Sequence, residues 1–339
     1  MNFVVFKTNY LGDNVIFVPV VQALRRAFPS AHLSLVTQPG VEELYVADVA
    51  RDDTLLVYQS DMIAALRRPW RARPWHSWLR SRKPEAIFIS NDQSTIAHLL
   101  ARISGARVRL GSRFGMPIRR AGLTHAVEWR REWKIAQWHW EMARNFVEVL
   151  GGPALAPTPP PPDLSHLTRG TPRVPGRVVI HPGSKRVMTR WPAERFAELA
   201  GRLVARGYEV RWSRVPEADT PLPAGVHIAD TPTLGDLVRL LASASLFICN
   251  NSGPMHLANA VATPLVVITG PTPTSWDPAW HLDRVRTLRL PDLACQPCDR
   301  PDLRSHDCYN TAEPLACLRR WGVEAVERIC LEQLSLPVA

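Results

Sequence analysis

No apolar run in this 339-residue chain approaches the ~18–20 residues that a membrane-spanning helix requires. The longest runs, such as Pro264–Ile268, suit buried strands instead. No secretory leader is expected either, since Met1–Phe6 has no basic residue and Lys7 and Asp13 interrupt the apolar start. A cytoplasmic protein is therefore expected. Acidic residues are in short supply, 31 against 41 Lys and Arg, which leaves a net charge of +10. That excess asks for an anionic partner: nucleic acid, an anionic membrane face or a phosphorylated substrate. No nucleic-acid-binding motif accompanies it, which weakens the first of these without removing it. The second half also has no DxD-like pair of carboxylates at the end of a strand, the usual handle for a phosphate-bound Mg²⁺.

Hydrophobic residues make up 46% and charged residues 21%, an ordinary globular balance with room for two domains. Proline (31) and tryptophan (12) are both abundant, and several of them stand among arginines. In Arg67–Lys83 the arginines alternate with Trp70, Trp75 and Trp78. Such a segment suits the inner face of a cytoplasmic membrane, where indoles and cations both gain energy. It equally suits a solvated loop whose tryptophans cap the core.

The first half alternates strand and helix patterns. Phe3–Phe6, His32–Val36, Ala86–Ser90 and Val108–Leu110 read as strands. Val20, Ala23, Leu24, Ala27 and Phe28 carry helical spacing between the first two. Residues 151–175 are proline-dense and predict a semi-rigid linker. The same grammar then restarts, with strands at Val178–His181, Glu209–Ser213, Leu246–Asn250 and Leu265–Thr269. Helices are expected at Pro192–Arg206, Leu234–Ala244 and Pro254–Ala262. These readings divide the chain into a Rossmann-like domain over 1–150, the linker, and a second such domain over 176–320. An amphipathic helix over 321–339 is expected to return to the first domain. Both domains are α/β, with doubly wound parallel sheets facing across a cleft where ligands bind.

Three segments carry candidate chemistry. Leu11-Gly12-Asp13 stands where a strand gives way to a helix, so Asp13 is either a proton acceptor or a helix cap. His181-Pro182-Gly183-Ser184-Lys185, followed by Arg190-Trp191-Pro192, combines a glycine turn, two cations and a proline at a helix start. It suits a diphosphate or a plain basic loop. Asn250–His256 runs from a buried strand into a helix, where free N–H groups and the helix dipole favour phosphate. Ordinary capping by Ser252 and Pro254 is the alternative. Gly270-Pro271-Thr272 closes the next strand beside the same cleft.

Taken in this order, the three segments resemble glycosyltransferase family 9, the ADP-heptose:lipopolysaccharide heptosyltransferases. The family's opening, KxxxLGDxxxxxPxxxxLRxxxP, stands here as Lys7, Leu11-Gly12-Asp13, Pro19, Leu24-Arg25 and Pro29. Its HPG…(K/R)xWPxxxF segment stands as His181–Gly183, Arg190–Pro192 and Phe196. Its SNDTGPMHLAAALGTPxVxLFGPT block stands as Asn250–Leu257, Ala262–Pro264 and Gly270–Thr272. The resemblance implies a GT-B fold and inverting transfer without a catalytic metal or other cofactor. The donor would be a nucleotide sugar such as ADP-heptose. The acceptor would be lipopolysaccharide core or another anionic glycolipid or oligosaccharide of the cell envelope. It also implies Asp13 as general base, with Lys7, Asn9 and Gly12 on the acceptor side. Lys185, Arg190, Glu217, Asn251, Ser252, Gly253, Pro254, Met255, His256 and Thr272 would hold the donor. Asn251 departs from the family's aspartate, offering an amide's donor and acceptor in place of a charge. A nucleotide-sugar epimerase of the same fold, or a basic nucleic-acid-binding protein without catalysis, are the alternatives.

Six cysteines divide into two kinds. Cys249 and Cys330 stand on apolar strand and helix faces, as small buried hydrophobes do. Cys295, Cys298, Cys308 and Cys317 crowd one proline-rich stretch, beginning with a CxxC. In a cytosolic chain that grouping points to structural zinc or iron ahead of disulfides.

Overall fold

The computed structural model describes residues 1–91, 93–112, 117–213, 215, 220–298 and 308–336. It contains two compact units, Met1–Asp163 and Leu164–Ala339. The first is built on β1 (Asn2–Lys7), β2 (His32–Thr37), β3 (Thr54–Leu56), β4 (Ala86–Ile89), β5 (Val108–Ser112) and β6 (His125–Val127). Their order is β3-β2-β1-β4-β5-β6, and every pairing is parallel. The second repeats the plan with β7 (Arg177–His181), β8 (Glu209–Ser213), β9 (Val226–Ala229), β10 (Leu246–Asn250), β11 (Leu265–Ile268) and β12 (Val285–Leu288). Its order, β12-β11-β10-β7-β8-β9, is the same winding seen from the other edge.

Burial explains which strands the residue pattern announces. In β1, β4, β7, β10 and β11 almost every side chain is buried, because helices cover both faces of a parallel sheet. These strands read as apolar runs. The edge strands β3, β6, β9 and β12 are half-exposed, carry mixed sequence and are not foreseen. The tryptophan-arginine segment is also helical where a loop was one expectation. A short turn at Pro69–Ala72 leads into a helix over Arg73–Arg82. Trp75 and Trp78 pack against the first unit's core while the arginines stay outside.

Two points of organisation gain detail. The first half of the proline stretch is fastened to the first unit. Trp140 Nε1 donates to Ala156 O at 2.7 Å, and Gln22 exchanges bonds with the Asp163 backbone at 2.7 and 3.1 Å. The unit boundary falls within that stretch, at residues 163 and 164. The helix Val323–Leu334 gives its apolar face to the second unit, since Val323, Val326 and Cys330 join the core formed by β7, β10 and the helix Ala193–Ala205. Arg202 reinforces that seat, reaching Glu324 at 2.6 Å and Glu327 at 3.2 Å.

Candidate functional site

In each sheet the strand order reverses between two neighbours, β1 and β4 in one, β7 and β10 in the other. A doubly wound sheet opens a crevice at the carboxyl ends of such a pair. The sequence segments singled out above fall at these two places.

At the first switch point, β1 ends in Lys7 and the helix Leu11–Val15 begins with Tyr10 as its cap. Asp13 therefore lies inside the first turn and is not a capping residue. Its carboxylate is 14% exposed, with Oδ1 at 3.8 Å from Lys7 Nζ. The expected acceptor-side residues sit lower. Lys7, Asn9 and Gly12 are buried and form the floor of this crevice beside Asp13. Thr8 Oγ1 donates to Gln93 Oε1 at 2.8 Å, and Asn14 Nδ2 to Asn9 O at 2.7 Å. Asn91, just past β4, and His139, on the helix Ile135–Val149, complete the floor. Neither was foreseen. A polar residue ending an apolar strand was the signal for Asn91, whereas His139 stands on an apolar helical face and gave none.

At the second switch point, Asn250 is the hub. Its Oδ1 accepts from Trp191 N at 2.8 Å and its Nδ2 donates to Pro182 O at 2.6 Å, tying the ends of β7 and β10 to the Arg190-Trp191-Pro192 turn. Arg190 Nε donates to Ser184 O at 2.6 Å, which holds the guanidinium against the Gly183-Ser184-Lys185 loop. Lys185 is exposed. His181 is buried beneath, bonded to Ser213 Oγ at 3.1 Å, and burial lowers its pKa to about 4. It is thus a neutral support.

The helix Gly253–Ala260 starts at Ser252, which has extended backbone and Pro254 in the first turn. The Ser252 hydroxyl makes no capping bond, and its buried Oγ has no partner among the described residues. A buried hydroxyl left so costs about 1–3 kcal/mol, which a bound acceptor or donor would recover. Met255 is wholly buried and His256 nearly so, so their side chains belong to the core and the helix start offers its N–H groups. Asn251 Nδ2 reaches Asp277 Oδ1 at 3.4 Å, and Arg289 binds Asp277 at 2.6 Å and Thr272 O at 2.6 Å. Asp277 and Arg289, outside every motif read from the sequence, thus place a carboxylate beside Asn251 and brace the Thr272 turn. That turn approaches its neighbours closely, since a Cβ on Gly270 would lie 3.0 Å from Met188 O. Glu217 lies outside the described residues.

The four crowded cysteines do converge. Cys295, Cys298, Cys308 and Cys317 line one small pocket with Met188 and Pro271. Burial, then the neighbouring Cys298, Cys308 and Cys295, push the Cys317 thiol up to about 12. Among the described residues, no three His, Cys, Asp or Glu side chains are arranged as metal ligands. Gln296, between the first two cysteines, donates to Thr269 O at 2.9 Å and Gly270 O at 2.7 Å. Cys249 and Cys330 are fully buried with raised pKa values, as small hydrophobes should be.

Residues 165–306 match the family model for glycosyltransferase family 9 (heptosyltransferase). The lipopolysaccharide heptosyltransferase 1 of Pseudomonas aeruginosa is 27% identical over 331 residues, covering 88% of this chain and 86% of its own. The lipopolysaccharide heptosyltransferase 3 of Escherichia coli is 24% identical, covering 77% of this chain and 81% of its own. Among solved structures, E. coli heptosyltransferase WaaC with ADP-2-deoxy-2-fluoro heptose superposes with a TM-score of 0.75 at 18% identity, covering 98% and 99% of the two chains. That likeness shows the fold, two doubly wound sheets of GT-B type.

Proposed function

We propose that this chain is a member of glycosyltransferase family 9, whose model its residues 165–306 match, and that it transfers a heptose from ADP-heptose to a lipopolysaccharide core, inverting the anomeric centre. The observation that carries the reading is a division of labour. A partly exposed carboxylate stands at one switch point, and a helix start with an unpartnered hydroxyl and adjacent cations stands at the other. Asp13 accepts the acceptor hydroxyl's proton as its oxygen bonds to the anomeric carbon. The bond to the diphosphate breaks on the opposite face, and its electrons leave with the phosphate oxygen. Arg190, Lys185, Ser252 and the N–H groups of Gly253–His256 receive that charge, so the step needs no metal ion. Asn251, with Asp277 beside it, faces the sugar hydroxyls, and Thr272 completes the donor's surroundings. Neither alternative, epimerase or nucleic-acid-binding protein, is favoured by the family match.

Two further parts of the reading follow from surfaces. Tyr58, Ile63, Leu66 and Trp70 are exposed beside Arg67, Arg68 and Arg71, a combination suited to an anionic inner leaflet where a lipid-anchored acceptor is found. Among the described residues no helix is long and apolar enough to cross the membrane, so the contact would be peripheral. The four convergent cysteines suit structural zinc or iron, whose thiolate ligation would draw the sulfurs together. The test is a transfer assay with ADP-heptose and heptose-deficient lipopolysaccharide, run against UDP- and GDP-sugars. Heptosylated product of inverted configuration supports the reading. Altered donor without acceptor modification replaces it with the epimerase.

A further inference from the structure

Lys7 is fully buried at the end of β1, although an ammonium group is among the costliest to withdraw from water. Such a charge persists where nearby groups replace its hydration. Asn91 Oδ1 lies 3.3 Å from Nζ, His139 Nε2 lies at 3.5 Å and Asp13 Oδ1 at 3.8 Å. The Phe17 ring adds a cation-π contact at 5.3 Å. These partners come from four different segments, so the ammonium is held by the whole floor of the crevice.

Among the described residues, His139 and Tyr45 beside the pair are held neutral. Burial first, and Lys7 second, hold the His139 pKa well below its usual value. Its Nε2 also meets Asn91 Oδ1, so an imidazole carrying its proton there shares that oxygen with Lys7. Tyr45, whose hydroxyl bonds Asn14, is pushed well above the usual tyrosine range by burial, then by Asp13 and Asp48. The ammonium and the Asp13 carboxylate thus form the charged pair of this floor, with Asp48 a second carboxylate beyond Tyr45.

We propose that Lys7 is a positioning residue for the transfer reaction, an ammonium sealed beneath Asp13 that keeps the carboxylate ionised and aimed while touching neither substrate. The inference rests on the reading of Asp13 as the base. When Asp13 takes the acceptor proton, Lys7 keeps its own three protons and remains beside a neutral carboxyl. That state favours release of the transferred proton to water, which restores the pair for the next turnover. A cation within about 4–6 Å lowers a carboxylate pKa by roughly 1–3 units. The acidic limb of the rate profile should therefore sit low in the native protein and rise when the charge is removed.

The experiment compares pH profiles of kcat/KM for the full chain and for Lys7→Met, Lys7→Gln, Lys7→Arg and Asp13→Asn, using ADP-heptose and heptose-deficient lipopolysaccharide. In either neutral variant the acidic limb should move up by about one unit or more, kcat should fall, and the donor KM should stay within about twofold of native. Lys7→Arg should restore the native limb. Lys7→Gln carries the test if Lys7→Met does not fold, because its amide still bonds within the pocket. A folded neutral variant with an unmoved limb overturns the proposal, even if its rate is lower at every pH. Near-native turnover by Asp13→Asn removes the base itself and the Lys7 role with it. An inactive Asp13→Asn beside an unmoved Lys7 limb removes the Lys7 role alone.

Discussion

The two switch points share one strand order and differ in where they keep charge. The first hides a lysine and shows a carboxylate, with neutral His139 and Tyr45 packed around them. The second buries neutral groups, Asn250 and His181, and leaves its cations Arg190 and Lys185 half-buried or exposed. A half-buried ion pair suits a site that handles a proton, because the sealed cation favours the ionised form of the carboxylate above it. An amide hub with outlying cations suits a site that releases a charged product, since no buried charge is stranded when the ligand departs. The same winding can therefore serve proton transfer or anion binding, according to which side of the surface holds the charge.

The largest effect expected from this contrast is at Asp13. Asp13→Asn should cost roughly 10²–10⁴-fold in transfer rate, the worth of a positioned base, with thermal stability and donor affinity near native. Donor affinity measured by calorimetry sharpens the comparison, since weakened donor binding would break the separation of roles. Arg190→Ala should come next, lowering kcat/KM by about 10²-fold through the leaving diphosphate while leaving the acidic limb of the profile in place. A shift of that limb would mean the two regions are not independent. Ser252→Ala should lower donor affinity by about tenfold, the equivalent of ~1.4 kcal/mol. Unchanged affinity would leave the orphaned hydroxyl without a ligand.

Acid should treat the two units alike, which tests the contrast from the other side. His98 in the first and His181 in the second are buried with pKa values lowered from 6.5 to about 4. Burial is the leading cause in both. Between those values the unfolded chain binds protons that the folded chain does not, so stability falls as pH drops through that window. Each histidine should cost about 1 kcal/mol by about pH 5.5, read as a fall in denaturant midpoint. His181→Asn, able to keep the bond to Ser213, should remove its share, and an unaltered acid dependence would contradict this account. The smallest effect is expected from chelation. Excess chelator should leave the initial transfer rate unchanged, whereas immediate loss restored by Mg²⁺ would contradict a metal-free step. Slow inactivation accompanied by metal release would instead report on the cysteines.

What the sequence made legible follows the same division. The central strands and the three motif segments were visible because two-sided burial and sharp turns leave strong residue patterns. The four edge strands were not, since half-exposed segments such as Val226–Ala229 tolerate mixed sequence. Asp13 was visible with its neighbours in a short loop. Lys7 was visible too, but its burial was not, because that depends on Asn91 and His139, more than eighty residues away in the chain. Asp277 and Arg289 went unseen for a similar reason, as their meaning lies in contact with Asn251 and Thr272.

The seat of the Val323–Leu334 helix in the second core has a consequence for synthesis on the ribosome. Every residue of the first unit has been made by Asp163, so that unit can fold while the rest is still being translated. The second unit has no such head start. Its sheet and the helix Ala193–Ala205 are present early, yet the apolar surface that Val323, Val326 and Cys330 cover stays open until those last turns emerge. The second unit's core is therefore completed only when Val323, Val326 and Cys330 reach it, whereas the first unit's own residues all precede Leu164.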